Sequence, residues 1–290
     1  MVEYILGNYL VETKKISAAQ LQTVLHKQYS VRVKLGLIAV SEGFMTTEQA
    51  EEVNEIQAIR DKRFGDIAVE KGYLTDEQVG KLLKEQGNTY LMFIQTLVDE
   101  QLLQMSEVDG ILEEFRKQHD FTNTEMEDIK RDDVDRIVPL YLPEEAQKYG
   151  ELVGVAVRTL IRLIDRRIYV GPATISNCLE GKAMVCQQLE GECGFVDCLA
   201  EDTGALLKAG SIFGQEDFME LDEDVLDAAG ELLNCINGLY ASNKSHEGQV
   251  YELLPPTYWQ DGNKQPKDFV CSIPVYINGK KLYFIVAEPV

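Results

Sequence analysis

Asp227, Glu231 and Asn234 have side chains and spacing that could serve one chemistry. At roughly 100° per residue, positions i, i+4 and i+7 fall on one strip of an α-helix. A carboxylate on such a strip can pair with an ammonium group. An amide beside it can accept from water through its oxygen while its NH₂ donates. The run that must position them extends from Asp222 to Asn243. In it Val225, Leu226, Ala229, Leu232, Leu233, Ile236, Leu239 and Tyr240 recur with helical periodicity and form an apolar face. Asp227, Glu231, Asn234 and Gly238 are left on the solvent side. Gly230 and Ala241 border that strip and keep the ridge low, so another protein can approach closely. Asn and Gly inside a helix each cost about 0.5–1 kcal/mol against Ala. Helix stability alone would favour Lys, Glu or Ala at these positions.

The pattern Asp227-x3-Glu231-x2-Asn234, followed by Pro255-Pro256, resembles the signature of the CheC/CheX/FliY chemotaxis phosphatases. The similarity runs from about Pro143 to Val290, and the prolines come one or two residues early. That resemblance implies hydrolysis of the aspartyl phosphate of a CheY-like response regulator. The regulator would supply the Mg²⁺, and this chain would need no cofactor or metal of its own. Asn234 would orient water, Glu231 would engage the regulator's active-site Lys, and Asp227, Gly230, Gly238 and Ala241 would form the docking surface. Overlaying the two halves of the region sets Gln147-x3-Glu151-x2-Gly154 against the motif, so only the second half carries a complete set. Relatives of the CheX type pair by continuing a sheet across two subunits, so the resemblance allows a homodimer, although the N-terminal domain could instead cover that edge.

A chain of 290 residues is long enough for two ordinary domains. Its 45% hydrophobic and 27% charged residues are those of a globular protein. A net charge of −21 opposes non-specific binding to nucleic acid or anionic membranes and is compatible with protein partners. No apolar run approaches the ~20 residues of a membrane span. The N-terminal residues lack a signal-peptide layout, so the expected location is the cytoplasm. All six cysteines lie in the second half without a CxxC pair, and the three histidines are scattered, so zinc spacing is absent. Reduced thiols packed as small apolar groups are expected.

The first third repeats. Leu6-Gly7, Leu35-Gly36 and Phe64-Gly65 are spaced by 29 residues, and Val11, Val40 and Val69 keep that interval. Ser17, Thr46 and Thr75 are expected N-caps, each with Gln three positions on to complete a capping box. A fourth, degraded copy is expected from Tyr90 through Phe93, Val98 and Ser106, with two extra residues. Each unit reads as a helical hairpin that buries its apolar face only by stacking. The run Arg63-Phe-Gly-x-x-Ala-Val-x-x-Gly-Tyr-Leu resembles the motif of MshEN domains, found at the front of type II secretion and pilus ATPases. Some of those domains bind cyclic di-GMP. That resemblance would place a nucleotide on Lys34, Gly36, Arg63 and Gly65, although only the third copy carries the leading Arg.

The expected organisation is α+β. It begins with an all-α repeat domain over 1–118 and a charged connector over 119–142, in which Ile137–Leu142 could form a strand or dock on the second domain. That domain, of two pseudo-symmetric halves over 143–290, has antiparallel strands with helices on one side. Asn278-Gly279 signals a tight hairpin between the last two strands. Two other functions compete with the phosphatase. One is a non-catalytic adaptor that binds a receiver domain, and the other is a regulator responding to cyclic di-GMP through the repeats.

Overall fold

The structure, a computed structural model, describes residues 1–290 except Asp61, Glu180, 261–264 and Val290. The fold is α+β, in two compact units, Val2–Asp133 and Val134–Val290.

The first unit is a run of helical hairpins. α1 (Val2–Glu12) pairs with α2 (Ala18–Lys27), α3 (Leu35–Ser41) with α4 (Thr47–Ile59), and α5 (Phe64–Glu70) with α6 (Asp76–Leu82). α7 (Thr89–Asp99), α8 (Met105–Gln118) and α9 (Asn123–Lys130) complete it. The expected capping boxes form: Ser17, Thr46 and Thr75 each accept from the backbone of the Gln three residues on, whose side chain closes back on the cap. Each hairpin turns through one residue of positive φ, at Lys14 (59°), Gly43 (68°), Gly72 (72°) and Gln101 (57°). These four positions recur every 29 residues, and so do the caps at 17, 46, 75 and 104.

The fourth copy therefore holds the register without inserted residues. Its cap is Gln104, boxed with Glu107, rather than Ser106. The signal was hidden because Gln101 replaces the turn glycine and Ile94 replaces the glycine that follows Leu or Phe in the other copies.

The stretch expected as a connector is also helical. Thr122 and Glu125 form a fifth reciprocal capping box at the start of α9, which buries Met126 and Ile129. Beyond it, α10 (Val134–Leu140) belongs to the second unit and buries Ile137 and Val138, so this segment is not a strand.

In the second unit, a short 3-10 turn over Glu144–Tyr149 leads into α11 (Gly150–Leu163). There follow β1 (Tyr169–Val170), β2 (Thr174–Leu179), β3 (Ala183–Gly191), β4 (Phe195–Glu201) and α12 (Ala205–Gly214). The chain then runs through α13 (Glu223–His246), β5 (Tyr251–Leu253), β6 (Thr257–Gln260), β7 (Gln265–Ile277) and β8 (Lys280–Ala287). All pairings are antiparallel, in the order β1-β7-β8-β4-β3-β5, with β2 also on β7 and β6 also on β3. Each half thus contributes one hairpin, β3–β4 or β7–β8, and sends two short strands across to edge the other half's hairpin. β4 and β8 join the halves at the centre. Asn278 (φ 51°) and Gly279 (φ 76°) make the expected tight turn.

One face of the sheet carries α12 and α13. Strand residues alternate between faces, and the opposite face holds a second apolar cluster that includes Met184, Cys186, Val196, Cys198 and Ile285. Cys186 and Cys198 lie directly opposite each other in the β3–β4 register and are disulfide-bonded, with Cα atoms 4.0 Å apart. The expectation of six reduced thiols fails at this pair because the register brings the two side chains into contact. Cys178, Cys193, Cys235 and Cys271 are free.

The repeat glycines are sites of close packing. A Cβ on Gly65 would stand 2.9 Å from Val79 Cγ1, and one on Gly36 would stand 3.0 Å from the Phe64 ring. Gly80, in α6, has nothing within 4 Å of its would-be Cβ. Urea unfolding should therefore separate the two kinds of glycine. Gly65→Val is expected to lose about 1–3 kcal/mol through overpacking. Gly80→Ala is expected to gain about 0.5–1 kcal/mol from helix propensity.

Candidate functional site

Asp222 caps α13, its side chain accepting from the Val225 backbone at 3.2 Å, and Glu223 and Asp224 occupy the electropositive first turn. The buried face of α13 is Val225, Leu226, Ala229, Gly230, Leu232, Leu233, Ile236, Asn237 and Tyr240. Asn237 is fully buried in the stripe, and Leu239, expected there, is 37% exposed. An asparagine so placed must find partners or leave polar atoms stranded.

It finds them on the sheet. Gln187 of β3 and Asp197 of β4 are directly opposite in register and face α13. Asn237 Nδ2 donates to Gln187 Oε1 at 2.9 Å and to Asp197 Oδ1 at 2.8 Å. Gln187 Nε2 donates in turn to Asn234 Oδ1 and to the Leu254 carbonyl, both at 2.9 Å. Asn234 is half-buried, so one end of its amide is tied inward and Nδ2 is the end turned away from Gln187.

Glu231, one turn before Asn234, is exposed on the same strip. Asp227 is exposed as well, but its Oδ1 accepts from the Tyr258 hydroxyl of β6 at 3.0 Å. The Tyr258 hydroxyl titrates above its ordinary range through burial, the Asp227 hydrogen bond, and the charges of Asp227 and Glu231. Gly230 does not border an open ridge. It is buried, and a Cβ there would stand 3.0 Å from Tyr258 Oη and 3.4 Å from Pro256 Cβ. Its small size admits this chain's own Pro256 and Tyr258. Gly238 has nothing within 4 Å of its would-be Cβ, and Ala241 is half-buried. A cavity of about 460 Å³ beside the first turn is lined by Glu223, Asp224, Leu226, Asp227 and Tyr258.

The equivalent face of α11 is consumed internally. Lys244 of α13 binds the carboxylate of Glu151 and that of Glu247. Gln147 Nε2 donates to the carbonyls of Pro139 and Leu142, at 2.9 and 2.8 Å. A Cβ on Gly154 would meet Asp135 Oδ1 at 2.8 Å, because α10 lies there and Asp135 pairs with Arg158.

In the repeat unit, Lys34 holds the N-cap position of α3 without a side-chain cap, its ammonium pairing with Asp99 at 2.9 Å and its backbone N–H donating to Gln95. Arg63 occupies the matching position before α5 and is exposed. Gly36 and Gly65 are buried beneath Phe64 and Val79. A cavity of about 580 Å³ is lined by Arg32, Val33, Lys34, Leu35, Asn54, Gln57, Phe64 and Gln86. It gathers Lys34 but not Gly36, Arg63 or Gly65.

Gln187, Asp197, Asn237 and Tyr258 were not read from the sequence as site residues. Asn237 alone left a trace, as a polar residue three positions beyond Asn234 inside an apolar stripe. The other three are brought in by strand register, which the spacing does not reveal.

No protein-family model matches the chain, and no curated protein does. Several solved structures are similar to about half of it. CheX from Desulfovibrio desulfuricans is 17% identical over 48% of this chain and 97% of its own, with a TM-score of 0.42. A CheC-like protein from Shewanella oneidensis is 14% identical over 49% and 98%, with a TM-score of 0.43. CheX of Borrelia burgdorferi, solved with CheY, BeF₃ and Mg²⁺, is 16% identical over 47% and 94%, with a TM-score of 0.40. No helix among the described residues is long and apolar enough to cross a membrane.

Burial drives the chemistry of Asp197. It is fully buried, and loss of solvation pushes its carboxyl up to about 8 although the Asn237 hydrogen bond favours the charged form. Asp197 Oδ2 and Asn237 Oδ1 have no hydrogen-bond partner, so nothing solvates a charge on Oδ2, and protonation removes that charge. The folded state then holds a proton that the unfolded chain releases near its ordinary value of 3.8. Stability from this group is complete below about pH 4 and falls as pH rises toward about 8. Asp197→Asn keeps the shape and the acceptor without the charge. By pH 8 it should be more stable than wild type by on the order of 3 kcal/mol in urea titrations. The difference should shrink toward zero by pH 4–5.

Proposed function

We propose that the second unit accelerates hydrolysis of the aspartyl phosphate of a CheY-like receiver domain, with α13 as the inserted face. The observation that carries this reading is the fixed Asn234 amide beside an exposed Glu231. A phosphorylated carboxylate already hydrolyses in water with a metal held by its own receiver, so a helper need only position water and offset charge. Asn234 Nδ2 supplies two donors for the transferring phosphoryl oxygens or the attacking water. Oδ1 has two lone pairs and gives only one to Gln187, so the second can accept a hydrogen bond from that water. Glu231 pairs with the receiver's active-site lysine and sets the angle of approach. No covalent intermediate on this chain is required.

In this reading the docking surface is narrower than the motif implies. Asp227 and Gly230 act within the chain, holding Tyr258 and admitting Pro256 beside Glu231. Gly238 and Ala241 remain for close approach. Acidic residues at the start of α13 add attraction for a basic receiver surface, and that part of the association should weaken with salt.

The decisive assay follows dephosphorylation of a phosphorylated CheY-type receiver in the presence of Mg²⁺. Asn234→Ala is expected to lose about 100-fold or more in kcat with receiver binding retained. Glu231→Lys is expected to lose activity chiefly through KM, because two ammonium groups then face each other. Absence of acceleration by the wild-type chain with every receiver of its cell would refute the phosphatase and leave a binding module.

A further inference from the structure

We propose that Gln187, Asn237 and Asp197 are positioning residues that lock the Asn234 amide with its oxygen inward and its NH₂ outward. The proposal deepens the phosphatase reading and rests on it only for its kinetic consequences.

A contact of 2.9 Å between two amides does not by itself say which end of either is oxygen. Here the chain of contacts is anchored by a group of one polarity. The Leu254 carbonyl can only accept, so the end of Gln187 that reaches it must be Nε2. That same nitrogen reaches Asn234, which must therefore offer Oδ1. The far end of Gln187 is then Oε1, and Asn237 must present Nδ2 to it. Asn237 Nδ2 spends its second proton on Asp197 Oδ1. Every donor along the line points from an NH₂ to an acceptor, and the direction is set at Leu254. Turning Asn234 over would set its NH₂ against the NH₂ of Gln187 at the edge of the core.

Burial makes the line hold. Gln187 is 1% exposed, and Asp197 and Asn237 are 0% exposed. Water does not compete for their hydrogen bonds, and a polar line in a core is maintained only while its members satisfy one another. Apolar side chains at 187, 197 and 237 would fill the same space at less desolvation cost. What they could not do is fix the polarity of Asn234. The relay is thus a three-residue support for a single exposed amide, built from two strands and the helix that carries it.

Side-chain amide hydrogen exchange on the full chain reads the orientation directly. The Gln187 Nε2 and Asn237 Nδ2 protons should exchange at least about 100-fold more slowly than those of Asn234 Nδ2. Asn234 protons as protected as those of Gln187 would overturn the proposal whether or not the protein is a phosphatase. Kinetics supplies the second arm. Gln187→Met matches the volume and deletes the relay, and Gln187→Glu keeps an acceptor for Asn237 but cannot donate to Asn234. Both should lower kcat about tenfold with KM unchanged, and neither should lower activity further in an Asn234→Ala background. Full kcat in Gln187→Met, or a further loss in that background, would overturn the positioning role. A wild-type chain with no phosphatase activity but the expected exchange order would refute the function and uphold the relay.

Discussion

Gln187 and Asp197 face each other across β3 and β4, and Asn237 reaches down from α13 to both. Much of the second unit is constrained by this contact. The buried hydrogen bonds among these three side chains are kept or lost together, so α13 cannot rotate or slide on the sheet without breaking at least one of them. Apolar packing alone tolerates small shifts, because dispersion is non-directional. Hydrogen bonds of 2.8–2.9 Å do not. The same contact that registers the helix also reaches its outer surface at Asn234, through Gln187. Core registration and site geometry are thus one interaction seen from two sides.

The pseudo-symmetry of the unit shows how a duplicated scaffold can come to carry one site. Each half lends two short strands to the other's hairpin, so the halves cannot separate, and each begins with a long helix. Yet α11 is covered where α13 is open. Lys244, on α13, takes up Glu151 on α11, and α10 lies over Gly154. The first helix has become support for the second. Gly154 permits this, since a Cβ there would stand 2.8 Å from Asp135 Oδ1.

Periodicity made most elements legible. The repeat was visible from Leu6-Gly7, Leu35-Gly36 and Phe64-Gly65, and its caps from Ser17, Thr46 and Thr75. The fourth hairpin was blurred because backbone conformation had outlived residue identity: Gln101 adopts the positive φ that glycine adopts in two of the other copies. Helix α9 was masked by charge, its short core contribution of Met126 and Ile129 lying among acidic residues. On α13 the stripe was right up to Ile236 and then chose Leu239 over Asn237, because hydrophobicity was taken as the sign of burial. β6 went unread for a related reason. It is only four residues long, follows two prolines, and is held by pairing with β3 rather than by its own pattern. The missed site residues share this property, being placed by register across long sequence separations.

Gly230 is placed by packing within the chain. A glycine next to Glu231 on a helix face suggests room for a partner, but the room is taken by Pro256 and Tyr258 of the same chain. The proline that comes after such a helix at a set distance then has a local physical meaning. It brings the returning strand across the helix at its smallest residue, and the strand can cross there because no Cβ holds it off. Tyr258 arrives two residues later and ties its hydroxyl to Asp227. Asp227, Gly230 and Pro256 are therefore a brace that fixes where β6 leaves the site edge, and the spacing between helix and proline is a closure condition on that loop. Glu231 and Asn234 lie clear of that brace on the same strip, with Gly238 and Ala241 further along the helix.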